Sequence, residues 1–163
     1  TARALFHVPA NDARLRIEHG DGVEALVPEC CDLLVVDGFE DEATSSALVS
    51  RAFFDAAWCA LEEPGALVMN FMDGDPDFDR NLQRIERAFG GAVIAFQSLR
   101  DPNIVVIGLK GAPAALEWNV LRARADAFER KSALPFPRYV ERLRTMNRWT
   151  ADELLIAPAN ERG

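Results

Sequence analysis

The chain has 163 residues, 49% of them apolar, and a formal net charge of −8 at pH 7. That length suits a single domain with a sizeable core. The negative balance argues against nucleic acid as a partner, and no apolar run approaches the ~18 residues of a membrane span. Cys30, Cys31 and Cys59 form neither a disulfide framework nor a zinc spacing. They read as small core residues of a protein in a reducing, cytoplasmic setting.

In chain order, the first predicted strand covers 14–19 (Arg14-Leu-Arg-Ile-Glu-His19) and runs into Gly20-Asp21-Gly22 and a short helical turn near 22–27. The next, at 32–37, is the most informative segment. Leu33-Leu-Val-Val36 is an unbroken apolar run that ends in Asp37, the pattern of a central parallel strand covered on both faces. Asp37 then lies at the carboxyl end of the strand, where open α/β sheets bind ligands. Asp21 also follows a strand, so both carboxylates are expected to face one cleft.

A loop from Phe39 to Thr44 leads to a helix predicted over 45–61, capped by Ser45 or Ser46, with Leu48, Ala52, Phe53, Ala56 and Ala60 as its apolar stripe. Glu62-Glu-Pro-Gly65 breaks the helix, and Ala66 to Phe71 is a further apolar strand. Helical spacing of Phe78, Leu82, Ile85 and Phe89 predicts a helix over 77–89, stopped by Gly90-Gly91. Strands at 92–97 and 104–109, joined by Arg100-Asp-Pro-Asn103, are close enough for an antiparallel pair. Helices are expected at 113–131 and 137–147. Thr150-Ala-Asp-Glu153 has the form of a capping box for a last short helix.

The expected order, β-α-β-α-β-α-β-β, is a mostly parallel sheet ending in an antiparallel hairpin, followed by C-terminal helices. This is the C-terminal portion of a class I methyltransferase-like Rossmann fold. No metal site is expected: Asp73-Gly-Asp-Pro-Asp-Phe-Asp79 resembles a calcium loop, but its sixth and twelfth positions hold Phe78 and Arg84.

Five short elements in order, Gly20-Asp-Gly22, Val36-Asp-Gly-Phe39, Phe53-Phe54, Glu63-Pro-Gly-Ala-Leu-Val68 and Asn103-Ile-Val-Val-Ile107, resemble the spermidine synthase (polyamine aminopropyltransferase) family over about residues 3 to 111. The resemblance implies transfer of an aminopropyl group from decarboxylated S-adenosylmethionine to a small amine, without a metal. It implies adenine recognition by Asp21 and the backbone N–H of Gly22, and placement of the amine nucleophile by Asp37. The family's second acid after that strand has Glu40 or Asp41 as its counterpart here. The family's loop tyrosine has no counterpart, Tyr139 being the only tyrosine, and no Gly-x-Gly-x-x-Gly occurs.

Because the chain starts at Thr1 without that glycine-rich loop, residues 1–163 are expected to be the C-terminal part of a longer catalytic domain. Alone they are expected to be inactive and without affinity for S-adenosylmethionine; either the strand at 14–19 moves in beside the strand at 32–37 or a second copy covers that edge, and a homodimer is expected. Two other functions share the fold: an S-adenosylmethionine-dependent methyltransferase, and a non-catalytic homologue or oligomerising scaffold.

Overall fold

A computed structural model describes residues 8–40, 43–44 and 46–156. Its central sheet has four strands in the order β1-β4-β6-β5: β1 (Cys31–Val36), β4 (Leu61–Met72), β6 (Asn103–Lys110) and β5 (Val93–Gln97). A small hairpin of β2 (Phe39–Glu40) and β3 (Ala43–Thr44) follows β1. The helices are α1 (Arg51–Ala60), α2 (Phe78–Ala88), α3 (Trp118–Ser132) and α4 (Phe136–Met146). The short strands β7 (Ala115–Glu117) and β8 (Glu153–Leu155) pair antiparallel beside them.

β1 and β4 are parallel, whereas β6 runs against both β4 and β5. Three strands therefore point one way, and the antiparallel strand of the hairpin is inserted between β4 and β5. The sheet is mixed, with a hairpin of 93–97 and 103–110 as its pattern predicted.

Period-two alternation sorts the side chains of β4. Leu67, Met69 and Phe71 are fully buried on the face that α1 and α2 cover. Phe53, Phe54, Ala57 and Ala60 supply the buried stripe of α1. That stripe differs from the expected one because the helix starts at Arg51, not at 45. The Ser50 hydroxyl caps it, accepting the N–H of Phe53 at 3.1 Å, and Ser46–Val49 forms a separate 3-10 turn. Ser45 lies outside the described residues. At the other end, Lys110 donates to the carbonyls of Trp58 and Leu61, at 3.2 and 2.6 Å, and so satisfies groups a helix terminus leaves open. Gly108 is required on β6 because a Cβ there would stand 2.8 Å from the ring of Phe89.

Among the described residues, the other face is covered over β5 and β6 only. Ile94, Phe96, Ile107 and Leu109 pack under Trp118, Ala125, Val140 and Leu143 of α3 and α4. Asn147, just past α4, accepts the N–H of Ala95 at 2.9 Å and donates to its carbonyl at 2.6 Å, so its amide stands in for a neighbouring strand on β5. Arg144 lies over the rings of both Trp118 and Trp149, at 4.7 and 5.0 Å.

Several expectations are corrected. Residues 14–19 form no strand: the side chain of Asn11 takes up the backbone N–H and carbonyl of Ile17, leaving a local loop instead of a ladder. Among the described residues β1 is an edge strand, not a central one: β4 alone pairs with it, and Leu33 and Val35 remain 54% and 62% exposed. β4 begins at Leu61, since Glu62–Gly65 bulges within the strand before the register resumes at Leu33↔Ala66. The first turn expected for the 113–131 helix is β7 instead. Thr150 does accept backbone N–H groups, those of Asp152 and Glu153, but the turn reverses the chain into β8 and starts no helix.

Two of the cysteines are not core residues either: Cys30 and Cys59 are exposed, while Cys31 is half-buried against the main core. Cys30 sits in the turn entering the open edge strand, and Cys59 on the outer side of α1. Burial first, then the Cys30 sulfur 3.9 Å away, with the carboxylates of Asp32 and Glu62 after it, raise the Cys31 thiol above the ordinary value of 9.0. Burial disfavours its thiolate, so this contribution favours the fold below pH 9.0 and fades as the pH rises through the higher folded value.

This packing can be tested in two ways. Phe54→Ala is expected to destabilise the chain by about 3–5 kcal/mol in urea denaturation, while Leu33→Ser changes stability by no more than ~0.5 kcal/mol. At pH 8, iodoacetamide is expected to label Cys30 and Cys59 before Cys31, the gap narrowing as pH rises; peptide mass spectrometry reads the order.

Candidate functional site

The carboxyl ends of β1 and β4 lie side by side because the parallel register sets Val36 opposite Met69. The next residue on each strand is polar, and the two meet: the Asn70 side-chain amide donates to Oδ1 of Asp37 at 3.2 Å. An apolar strand ending in a carboxylate thus brings that group to the carboxyl edge of the two parallel strands, the kind of edge at which open α/β sheets bind ligands. Gly38, the next residue, passes close under Leu48; a Cβ there would stand 2.6 Å from Leu48 Cδ1. The backbone can leave β1 tightly at this point only without a side chain.

Around this pair opens a cleft of about 300 Å³ on the face of the sheet that carries Val35 and Val68. Asp37 and Asn70 stand at one side, with Ser98 and Asn103, from the β5–β6 turn and the start of β6, at the other. The floor is apolar, made by Val35, Val68 and Val105. Beside it, Gln97 donates to Asp73 at 3.5 Å and accepts from Arg142 at 3.4 Å. The arrangement suits a small ligand with an apolar stem and a polar, hydrogen-bonding end: the carboxylate accepts from an ammonium or amine, and the amide and hydroxyl groups fix its direction.

The other expected residues are placed differently. Asp21 opens the turn at 22–25, where its carboxylate accepts the N–H of Val23 at 2.8 Å and its carbonyl accepts that of Ala25 at 3.2 Å. This turn is anchored by Val23 and Leu26, which pack against the main core. Asp21 and Gly22 are exposed and stand outside the residues lining the Asp37 cleft. Glu40 lies in β2, with only its backbone described, and Asp41 lies outside the described residues. Among the described residues no cluster of three or more His, Cys, Asp and Glu side chains gathers that could hold a metal ion, and no helix is long and apolar enough to cross a membrane.

Asn70 is the residue that the sequence pattern did not single out. Its signal was there: a polar residue at the end of the apolar run 66–69 occupies on its strand the position Asp37 occupies on β1. What was lacking was the register that makes the two positions neighbours.

No family model matches the chain, but individual proteins do. A polyamine aminopropyltransferase from Chromobacterium violaceum is 32% identical over 157 residues, which span 95% of this chain and 60% of that protein. Those of Neisseria meningitidis serogroups A and B are each 30% identical over 148 residues, 90% of this chain and 56% of theirs. The chain thus spans a little over half the length of the curated relatives it matches. A crystal structure of a probable spermidine synthase from Corynebacterium glutamicum superposes with a TM-score of 0.54 at 20% identity, over 66% of this chain and 42% of the other, and supports the fold. A similarity that covers nearly all of this chain but only part of each relative fits a partial spermidine synthase-like domain of methyltransferase-like fold.

Proposed function

We propose that this domain serves aminopropyl transfer from decarboxylated S-adenosylmethionine to a small amine. The observation that carries the reading is the Asp37–Asn70 pair at the carboxyl edge of the parallel strands, inside a cleft with an apolar floor. The relatives named polyamine aminopropyltransferase support the same chemistry.

The acceptor arrives as an alkylammonium and is not nucleophilic in that form. Asp37 accepts a hydrogen bond from the amine, holds its nitrogen toward the sulfonium-bearing chain and favours loss of the proton. The Asn70 amide occupies one oxygen of Asp37 and so fixes the plane of the carboxylate, leaving the other oxygen for the amine. The nitrogen lone pair then attacks the methylene carbon next to sulfur. A C–N bond forms, the C–S bond breaks with its electrons going to sulfur, and methylthioadenosine leaves. Val35, Val68 and Val105 offer the apolar surface against which a methylene chain can lie.

Asp21, with the N–H of Gly22, is proposed to hold the adenine edge, the carboxylate accepting from the exocyclic amine. Its Oδ1 accepts the Val23 N–H, so the second carboxylate oxygen is the one proposed to meet the adenine, and the packed Val23 and Leu26 give it a firm base. Glu40 and Asp41 are proposed as the acids for the far ammonium of the acceptor. A homodimer and a cytoplasmic setting complete the proposal.

In the full-length protein, Asp37→Asn is expected to lower turnover by about 10²–10⁴-fold while nucleoside affinity stays within a few-fold. Asp21→Ala is expected to do the reverse, weakening binding of methylthioadenosine with less effect on turnover at saturation. A coupled assay for methylthioadenosine release, with calorimetry for binding, separates the two. Unchanged turnover in Asp37→Asn would remove the amine-positioning role.

A further inference from the structure

A second cleft, of about 480 Å³, lies between α1 and α2 and is lined by Arg51, Asp55, Arg84, Arg87 and Ala88. Three guanidinium groups on one groove are unusual in a chain of net charge −8, which on average repels anions. Among the residues lining the groove, one is a carboxylate. Asp55 lies 3.6 Å from Nε of Arg51, four residues earlier on the same helix, so the lining keeps an excess of two positive charges.

The groups differ in how they are held. Arg84 is half-buried and oriented through one nitrogen: its Nη1 donates to the carbonyl of Val49 at 2.8 Å and to Oδ1 of Asn81 at 3.3 Å. Asn81 is itself buried, which steadies that anchor. The remaining N–H groups of Arg84 are not used by those bonds. Arg87 lies three residues on, one turn along the same face of α2. Its sequence neighbour Glu86 is not among the described residues that line the groove. Arg51 closes the third side from the first turn of α1.

We infer that this groove is a binding site for a phosphate-bearing anion, distinct from the Asp37 cleft. The guanidinium fork matches the spacing of phosphate oxygens and is weakly hydrated, so arginines are suited to this ligand. The preset Arg84 supplies direction, and Arg51 and Arg87 close on the ligand from either helix. Because the anchor of Arg84 is the carbonyl of Val49, next to the Leu48 that packs on Gly38, the site lies two contacts from Asp37.

The test is calorimetric titration of the chain with sodium triphosphate, ATP and adenosine at low ionic strength. Triphosphate and ATP are expected to bind, with affinity falling as salt is added, and adenosine is not. Tighter binding of ATP than of triphosphate would assign the site to nucleotide phosphates, and equal binding to the free anion. The exposed Arg87→Gln, which leaves the Val49 and Asn81 bonds in place, is expected to weaken triphosphate about tenfold. Arg122→Gln, on α3 and 3.4 Å from Glu141, serves as the control and should change nothing. Absence of binding by triphosphate, or equal effects of the two substitutions, would overturn the proposal.

Discussion

β4 is the constraint on which the rest of the structure depends. It is the strand hydrogen-bonded to β1 on one side and to β6 on the other, and its Leu67, Met69 and Phe71 are fully buried. A slip of one residue would turn those three side chains out of the core, so the burial pattern locks the register of both neighbours. That register is what sets Asn70 beside Asp37. It also fixes how far β6 reaches, and so where Ser98 and Asn103 complete the cleft. The polar site is therefore positioned by apolar packing a few residues away.

What was legible in the sequence follows from this hierarchy. The runs at 32–37, 66–71 and 92–97 are apolar enough to announce themselves, and the short link at 100–103 announces its hairpin. Asp37 was legible because a carboxylate that ends an apolar strand must face either solvent or a ligand, and the carboxyl edge of the sheet is where ligands sit. The segment at 14–19 misled, since its alternation satisfies the pattern of a strand but no strand stands beside it to make the ladder. The Asn11 side chain satisfies Ile17 locally in place of one. Thr150 misled for a related reason: a hydroxyl that gathers two N–H groups serves a reversing turn as readily as a helix start. Asn70 could not be singled out, because pairing register is a property of two segments and not of either alone.

Charge behaves in the same way. The overall balance of −8 pointed away from nucleic acid as a partner, yet Arg51, Arg84 and Arg87 gather from two helices far apart in sequence onto one groove. Net charge describes the far field; a cleft responds to the few groups within a Debye length.

The two edges of the sheet, as the described residues form it, are built differently. At β5 the Asn147 amide occupies the N–H and carbonyl of Ala95, so a further strand meets a hydrogen-bonding position already taken. At β1 no described strand pairs on the side away from β4, and Leu33 and Val35 are exposed there. Strand addition to this sheet is therefore steered toward β1 and away from β5. Replacing Asn147 would return the Ala95 groups to the edge and make β5 a second site for it.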